Sequence, residues 1–410
     1  MRREHSSASE LRPFLSGDVD LAIEQQTPFY IEPINKNSTI TIKTSSATPS
    51  YQYSYNNSSW TTGTALSTST TVSIACNGKS KIYFRASTTS GTSWNNVHFD
   101  VSGGFDIGGN ILSLSAGTNF KTATTLPGTF CFQQMFNANT NIRHAEKLVL
   151  GNSLLSDVLN VTGKSVTYGY VFKGSLPDYA YYQMFYKSSL VSSPRVIGTT
   201  YLTSPYCCQQ MISNCTSLLN GPVSIYCTKA AARAFAYFAS GCTKLKYTPL
   251  QIYFTTYNTS AGTDAKAFEG AFSGCSSMVV GIPKSDLPKS SYKLNGRCLI
   301  TQGEESTTPA VLPTQFFYLT FNNCSKLEYM TMTIRSTTTG SNTFTEMFKN
   351  NTVLNYVYYN CSLKVGSYHS NWLSGVASSG QLIAPKGSSW GTLSQSVSTY
   401  PSGWTFATSE

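Results

Sequence analysis

Hydrophobic and polar residues alternate with a period of two through the first part of the chain. The runs that show this are FYIEPI, STITIKT, YQYSY, TTVSIAC, KIYFRA and NVHFDV, and turns rich in Asn, Ser and Gly separate them. Such alternation is typical of strands with one buried face. It predicts an antiparallel, Ig-like β-sandwich over residues 26–102, followed by a glycine-rich hinge at 103–109.

A different pattern follows, in which Asn or Cys recurs three residues before Leu, Ile or Met. The segments are NANTNI, SNCTSL, SGCTKL, SGCSSM, NNCSKL and KNNTVL, and their marker residues are Asn139, Cys215, Cys242, Cys275, Cys324 and Asn351, with Ser188 in the same column. Successive markers are 49, 27, 27, 33, 49 and 27 residues apart. The spacing of 27 lies within the ~20–29 residues of leucine-rich repeats. A spacing of 49 predicts one interrupted repeat plus a normal one.

The markers predict a leucine-rich-repeat solenoid over residues 103–367, with the marker side chains inside and hydrogen-bonded to loop backbone. Aromatic and Met residues precede each marker. Cys131 and Met135, like Cys207 and Met211, are four residues apart. This spacing predicts a short helix in each repeat, with these side chains in the core. The predicted fold class is therefore mixed α/β in two parts.

The helix-turn pattern MF-x-x-C-x-x-L resembles the BspA-like leucine-rich repeats of Bacteroidetes surface proteins and of the crAss-like phages that infect these bacteria. Residues 51–60 and 81–86 resemble the small β-domain that often precedes such repeats. Residues 368–410 resemble their carboxy-terminal cap, and three tryptophans are predicted to close the stack there: Trp372, Trp390 and Trp404. The resemblance spans about residues 28–408 and implies binding or display. It carries over no catalytic residue.

Composition narrows the function classes. Only 12% of the residues are charged, whereas 26 are Tyr, and average proteins contain ~25% charged residues. The net charge of +10 is spread thinly, which favours a mildly basic surface over nucleic-acid binding.

No apolar run approaches the ~18 residues of a membrane span. The eleven cysteines are an odd number without metal-site spacing, so we interpret them as reduced core residues.

Motifs for catalysis are absent. The sequence contains no GxSxG, HExxH or GxGxxG, and its two GKS triplets lack the upstream glycine of a phosphate-binding loop. The four histidines are scattered, and His144 beside Glu146 is a weak pair that we interpret as a solvated repeat edge. We therefore predict a non-enzymatic protein that needs no metal and no cofactor.

The amino terminus suggests where the protein acts. Residues 1–25 have no apolar run of a secretory signal, although the composition resembles that of extracellular adhesins. A bacteriophage virion protein reconciles the two facts, and it would act as a fibre or surface appendage at the virion surface. Residues 1–25 would then be an arm that binds other virion proteins, in a homo-oligomer. Two alternatives stay open: a bacterial cell-surface adhesin of the BspA-like type and, third, a glycan-processing enzyme.

Tyrosine clusters in the repeat region indicate a recognition surface, because Tyr offers broad amphipathic contact area at low entropic cost. We predict that Tyr356, Tyr358 and Tyr359 form a face that binds a bacterial surface glycan or an outer-membrane protein. Packing of these rings along the solenoid is the structural alternative for each of them.

Overall fold

The computed structural model describes residues 19–89, 91–156, 167–201, 203–257, 265–280, 299–303, 311–361, 363–384, 394–396 and 399–408. The chain is mostly β, with an N-terminal sheet region and a C-terminal β-solenoid of about six turns. The α-helices of the described residues are α1 (Leu21–Gln26) and α2 (Ser113–Ala116), with 3-10 helices at Gly117–Thr122 and Ser367–His369. None of the helices that the structure describes is long and apolar enough to cross a membrane.

The N-terminal region consists of two sheets that pack against each other. Its strands are β1 (Tyr30–Pro33), β2 (Thr39–Thr44), β3 (Tyr51–Ser54), β4 (Thr61–Thr62), β5 (Val72–Ala75), β6 (Ile82–Ala86), β7 (Val97–Val101), β8 (Phe105–Asn110) and β9 (Lys147–Val149). One sheet has the order β4-β3-β6-β1-β8-β9 and the other β5-β2-β7. Phe84 of β6 and Phe99 of β7 lie 5.3 Å apart between ring centroids, so the core lies between the sheets.

Two predictions for this region need correction. The predicted hinge contains β8, which pairs with β1 and with β9 in the larger sheet. Gly109 fits there because its φ is +74° and a Cβ would collide with the carbonyl of Pro28. Part of the predicted arm is α1, whose Glu24 accepts hydrogen bonds from Tyr30 Oη and from the N–H of Gly109. Residues 1–18 of that arm lie outside the described residues.

The remaining strands form the sheet of the solenoid and three two-stranded sheets beside it. They are β10 (Ser153–Ser156), β11 (Thr167–Val171), β12 (Val196–Gly198), β13 (Ser224–Tyr226), β14 (Lys229–Ala230), β15 (Gln251–Phe254), β16 (Thr256–Tyr257), β17 (Ile300–Gln302), β18 (Val311–Leu312), β19 (Tyr329–Ile334), β20 (Thr338–Thr339), β21 (Tyr356–Cys361), β22 (Gly380–Ala384) and β23 (Trp404–Thr408). The two-stranded sheets are β10-β11, β14-β16 and β18-β20, and an eight-stranded parallel sheet has the order β12-β13-β15-β17-β19-β21-β22-β23. Its last two strands lie within the segment predicted as a cap.

The predicted short helices are not formed, and runs of consecutive tight turns replace them. These turn segments cover residues 129–138, 178–187, 205–214, 232–241, 267–274, 314–323 and 341–350. Every fourth residue has a positive φ, as at Phe130, Gln134 and Ala138. Alternate backbone N–H groups donate to the next segment, for example from Phe132 to the carbonyl of Ala180 at 2.9 Å. A four-residue period places residues i and i+4 on the same side, so it imitates the helical pattern.

The marker side chains lie at the buried corner that follows each turn segment. The thiols donate to carbonyls of the preceding segment, Cys215 to Phe185 at 2.9 Å and Cys242 to Ile212 at 3.0 Å. Asn351 replaces the thiol in the last marker, and its Oδ1 accepts from the N–H of Cys324 at 2.7 Å. These bonds match the predicted role of the column. All ten cysteines among the described residues are buried and free of disulfides.

Markers that are 49 residues apart lie on adjacent rungs, which corrects the prediction of one interrupted repeat plus a normal one in each such interval. Cys324 donates to the carbonyl of Phe272 at 3.2 Å, and the rings of Phe272 and Phe321 stack at 5.3 Å. The extra residues are therefore insertions into single turns. An insertion outside the stacked segments leaves the register of the rungs unchanged.

Introducing a charge into the marker column is expected to destabilise the fold. Cys242 is fully buried, so Cys242→Asp would leave a carboxylate without a partner in an apolar stack. We expect the free energy of unfolding in urea to fall by about 3–5 kcal/mol. The matched control is Thr243→Asp at the exposed neighbouring position. This substitution should change the free energy of unfolding by less than about 0.5 kcal/mol. Equal effects of the two substitutions would contradict the buried position of the column.

Candidate functional site

The predicted tyrosine face lies on the eight-stranded sheet, but its three members do not share one side. Neighbouring residues of a strand point to opposite faces. In β21, Tyr359 lies in register with Met332 and is fully buried, whereas Tyr358 lies in register with Thr331 on the outer face. Tyr356 is on the same outer face and is partly exposed.

Tyr359 is a core residue, so its assignment to a binding face is wrong. Its hydroxyl is 3.0 Å from Nε2 of His369, and its ring packs edge-on against Phe344 and Trp372. Tyr358 faces outward but is only 5% exposed. Tyr356 alone of the three predicted residues offers an accessible surface.

Another pair of tyrosines on the outer face of this sheet is partly exposed. Tyr226 and Tyr253 are in register on adjacent strands, and their rings stack at 4.8 Å between centroids. The same column continues through Thr301 and Thr333 to Asn360, whose amide donates to Thr333 Oγ1 at 3.3 Å. The column therefore changes from aromatic to hydroxyl and amide groups along the stack.

A more regular aromatic array lies on the outer side of the turn segments, which we name the turn face. The rings of Phe130, Tyr179 and Tyr206 stack at 4.7 and 4.8 Å between centroids, and all three are partly exposed. We call this set the aromatic ladder. Each member lies nine residues before a marker, so an alignment on the marker column would have found the ladder in the sequence.

A ladder of glutamines runs beside the aromatic ladder. Gln134 donates to Gln183 and Gln183 donates to Gln210, both at 2.7 Å between side-chain amides. Because each amide bonds to the next, the side chains are held in one orientation before any ligand arrives. Together the two ladders place aromatic and amide groups in parallel rows over three rungs.

Charged residues follow the ladders on the next rungs. Arg233 and Lys266 occupy the column of the aromatic ladder, and Tyr237 occupies the column of the glutamines. Burial together with neighbouring Glu269 raises the pKa of Tyr237 to about 12. Lys266 pairs with Glu269 at 3.9 Å between Nζ and Oε1. The aromatic ladder and the glutamine ladder therefore end at Tyr206 and Gln210.

His144 joins a polar cluster where the N-terminal region meets the solenoid. Its Nδ1 is 2.9 Å from Ser192 Oγ and 3.6 Å from Glu146 Oε2, and the neighbouring carboxylate of Glu146 raises the pKa of His144. A catalytic relay needs the serine and the carboxylate on different ring nitrogens. Here both approach Nδ1, so the geometry does not form one. No three His, Cys, Asp or Glu side chains of the described residues converge to hold a metal ion.

Comparisons of the chain with protein-family models, curated proteins and solved structures found no match. Candidate residues are therefore assigned from geometry alone.

The buried pair of His369 and Tyr359 is expected to make stability depend on pH. Burial lowers the pKa of His369 to about 3, whereas the unfolded chain titrates near its ordinary value of ~6.5. The stability that neutral His369 contributes is complete above pH 6.5 and is lost as the pH falls toward 3. We expect this residue to account for about 3 kcal/mol between pH 7 and pH 4.

The measurement is urea unfolding at both pH values for the wild type and for His369→Phe. The variant keeps a ring stacked on Phe344 but cannot titrate. Between pH 7 and pH 4, the free energy of unfolding of the variant should fall by about 3 kcal/mol less than that of the wild type. Parallel losses in the two proteins would show that His369 binds its proton normally when folded.

Proposed function

We propose that this protein is a non-enzymatic bacteriophage virion component, a fibre or surface appendage that binds the surface of its bacterial host. The observation that carries the recognition role is the pair of ladders on the turn face. Aromatic rings suit the C–H faces of sugars and the apolar groups of proteins, and ordered amides suit their hydroxyl and carbonyl groups. The ligand class is a bacterial surface glycan or an outer-membrane protein.

The regular stack supports a binding role. Rungs of a solenoid repeat the same surface group at a fixed distance, which creates an extended array for an extended ligand. Weak contacts at each rung would add up, and several copies in a homo-oligomer would raise the avidity further. The virion assignment, in which the part of residues 1–25 that precedes α1 binds other virion proteins, rests on the resemblance to BspA-like repeats of phages.

Two finer structural assignments belong to the same proposal. We assign the solenoid to the BspA-like leucine-rich repeats because a buried Cys or Asn precedes a buried Leu or Met by three residues in most turns, as in Cys215 with Leu218 and Cys275 with Met278. We assign the two packed sheets, which are antiparallel except for the parallel pair β8–β9, to an Ig-like sandwich, and residues 368–410 to the repeat cap.

Removal of the ladder rings is expected to abolish cell binding without unfolding the protein. The double variant Tyr179→Ala, Tyr206→Ala should weaken binding to encapsulated Bacteroidetes cells by at least about tenfold, since central aromatic contacts are typical hot spots. The full chain is biotinylated at its amino terminus, displayed on streptavidin beads, and its binding is counted by flow cytometry on capsulated and acapsular strains.

The matched control is Tyr201→Ala, which removes a 56% exposed tyrosine outside the ladders. Thermal melts establish that all variants are folded. If the double variant binds as well as the control and the wild type, the turn face is not the recognition surface. If no strain binds any of the proteins, the adhesion role is wrong and a purely structural role takes its place.

A further inference from the structure

The last rung of the solenoid borders a cavity of about 390 Å³. One wall is formed by Leu373, Ser374 and Gly375. The other is formed by residues 395, 396 and 399–402. A cavity of this size lies at the lower end of the ~300–1,000 Å³ range of ligand pockets. It therefore fits a ligand of one or two small rings.

Both walls are fixed by contacts within the protein. The carbonyl of Ser374 accepts from the N–H of Asn350 at 2.7 Å, which attaches the first wall to the preceding rung. Trp372 is fully buried, and its indole N–H donates to the carbonyl of Thr399 at 2.6 Å, which attaches the second wall to the first. The cavity is thus present before a ligand binds.

The repeat pattern shows which backbone groups face this cavity. In the preceding rung, Phe348 and Asn350 donate their N–H groups to Trp372 and Ser374 of the last rung. Leu373 and Gly375 occupy the equivalent positions in the last rung, so their N–H groups point to where the next rung would lie. Among the described residues, none accepts from these two N–H groups. The N–H groups of Leu373 and Gly375 can therefore donate to acceptor oxygens of a ligand.

The side chains around the cavity define the rest of the ligand. None of the described residues that line it carries a charge. Tyr400, Pro401 and Leu373 provide apolar walls, and Gln395 and Ser402 provide amide and hydroxyl groups. Uncharged walls of this kind disfavour an ionic ligand, since a buried ion requires compensating charge.

We propose that this cavity binds a neutral sugar residue that carries an acetamido group. The acetamido carbonyl would accept from one of the N–H groups of Leu373 and Gly375 and a sugar hydroxyl oxygen from the other, at the places that two carbonyls of a further rung would take. The acetamido methyl and the ring C–H face would contact Leu373 and Tyr400, and Gln395 and Ser402 would bind hydroxyls. The choice of a saccharide rests on the proposed glycan recognition, while the site itself is separate from the two ladders.

The test is an NMR titration of the isotope-labelled full chain with methyl N-acetylglucosaminide, without cells. We expect saturable shifts of the Leu373 and Gly375 amide resonances and smaller ones with methyl glucoside, which lacks the acetamido group. Ser402→Trp, which fills the cavity, should weaken binding at least about tenfold. Its matched control is Ser58→Trp at an exposed position of the N-terminal region, which should bind like the wild type.

Gln395→Ala serves as a milder second variant if Ser402→Trp fails to fold, and it should also weaken binding. No saturable shift, an equal response to methyl glucoside, or shifts caused by inorganic phosphate and not by the sugar would each overturn the proposal. So would unchanged binding in the cavity variants. Because this titration uses no bacteria and the ladder variants leave the cavity intact, its failure is distinguishable from failure of the proposed adhesion.

Discussion

The solenoid depends on the pairing of backbone groups between consecutive turn segments. In each segment, every second N–H group donates to a carbonyl of the next segment. Most of the remaining N–H groups donate to carbonyls within their own tight turns. At the buried corner after each segment, the marker thiols donate to carbonyls of the preceding segment. The carbonyl of Phe185, for example, accepts both from the N–H of Ser188 at 3.0 Å and from the thiol of Cys215. Unpaired polar groups in an apolar stack are costly. The marker column therefore adds a second link between consecutive rungs in which the buried thiol is itself hydrogen-bonded.

Stacking of rings inside the core follows from the same pairing. Since hydrogen bonds fix the register, equal positions of successive rungs lie above one another, and Phe235, Phe268 and Phe317 stack at 5.2 and 5.6 Å. The column continues through Phe344 to His369 at 5.7 and 4.6 Å. The sequence separation between neighbours in this column ranges from 25 to 49 residues, yet the ring centroids stay within 4.6–5.7 Å of each other. The insertions are tolerated because they leave the paired segments untouched.

The parts that could be predicted from the sequence are those in which burial alone sets the pattern. The marker column and the Met and aromatic core positions are of this kind. The tight turns were missed because their four-residue period and the 3.6-residue period of a helix bury the same i and i+4 positions. The division between Tyr358 and Tyr359 was available in principle, since consecutive strand residues cannot share a face. The ladders were missed because an exposed column has no burial pattern and emerges only when rungs are aligned.

The two ends of the stack differ because, among the described residues, the N–H groups of the turn segments that bond to another rung donate to the rung on the carboxy-terminal side. The first rung thus presents carbonyls, and the N-terminal region supplies their donors: Trp94 N–H to Cys131 at 2.8 Å and Asn96 N–H to Gln133 at 3.1 Å. Asn139 adds a side-chain bond to the carbonyl of Phe99 at 2.8 Å. The N-terminal sheet region therefore caps the first rung of the solenoid. Since Phe130 and Gln134 lie on that capped rung, both ladders begin next to the N-terminal region.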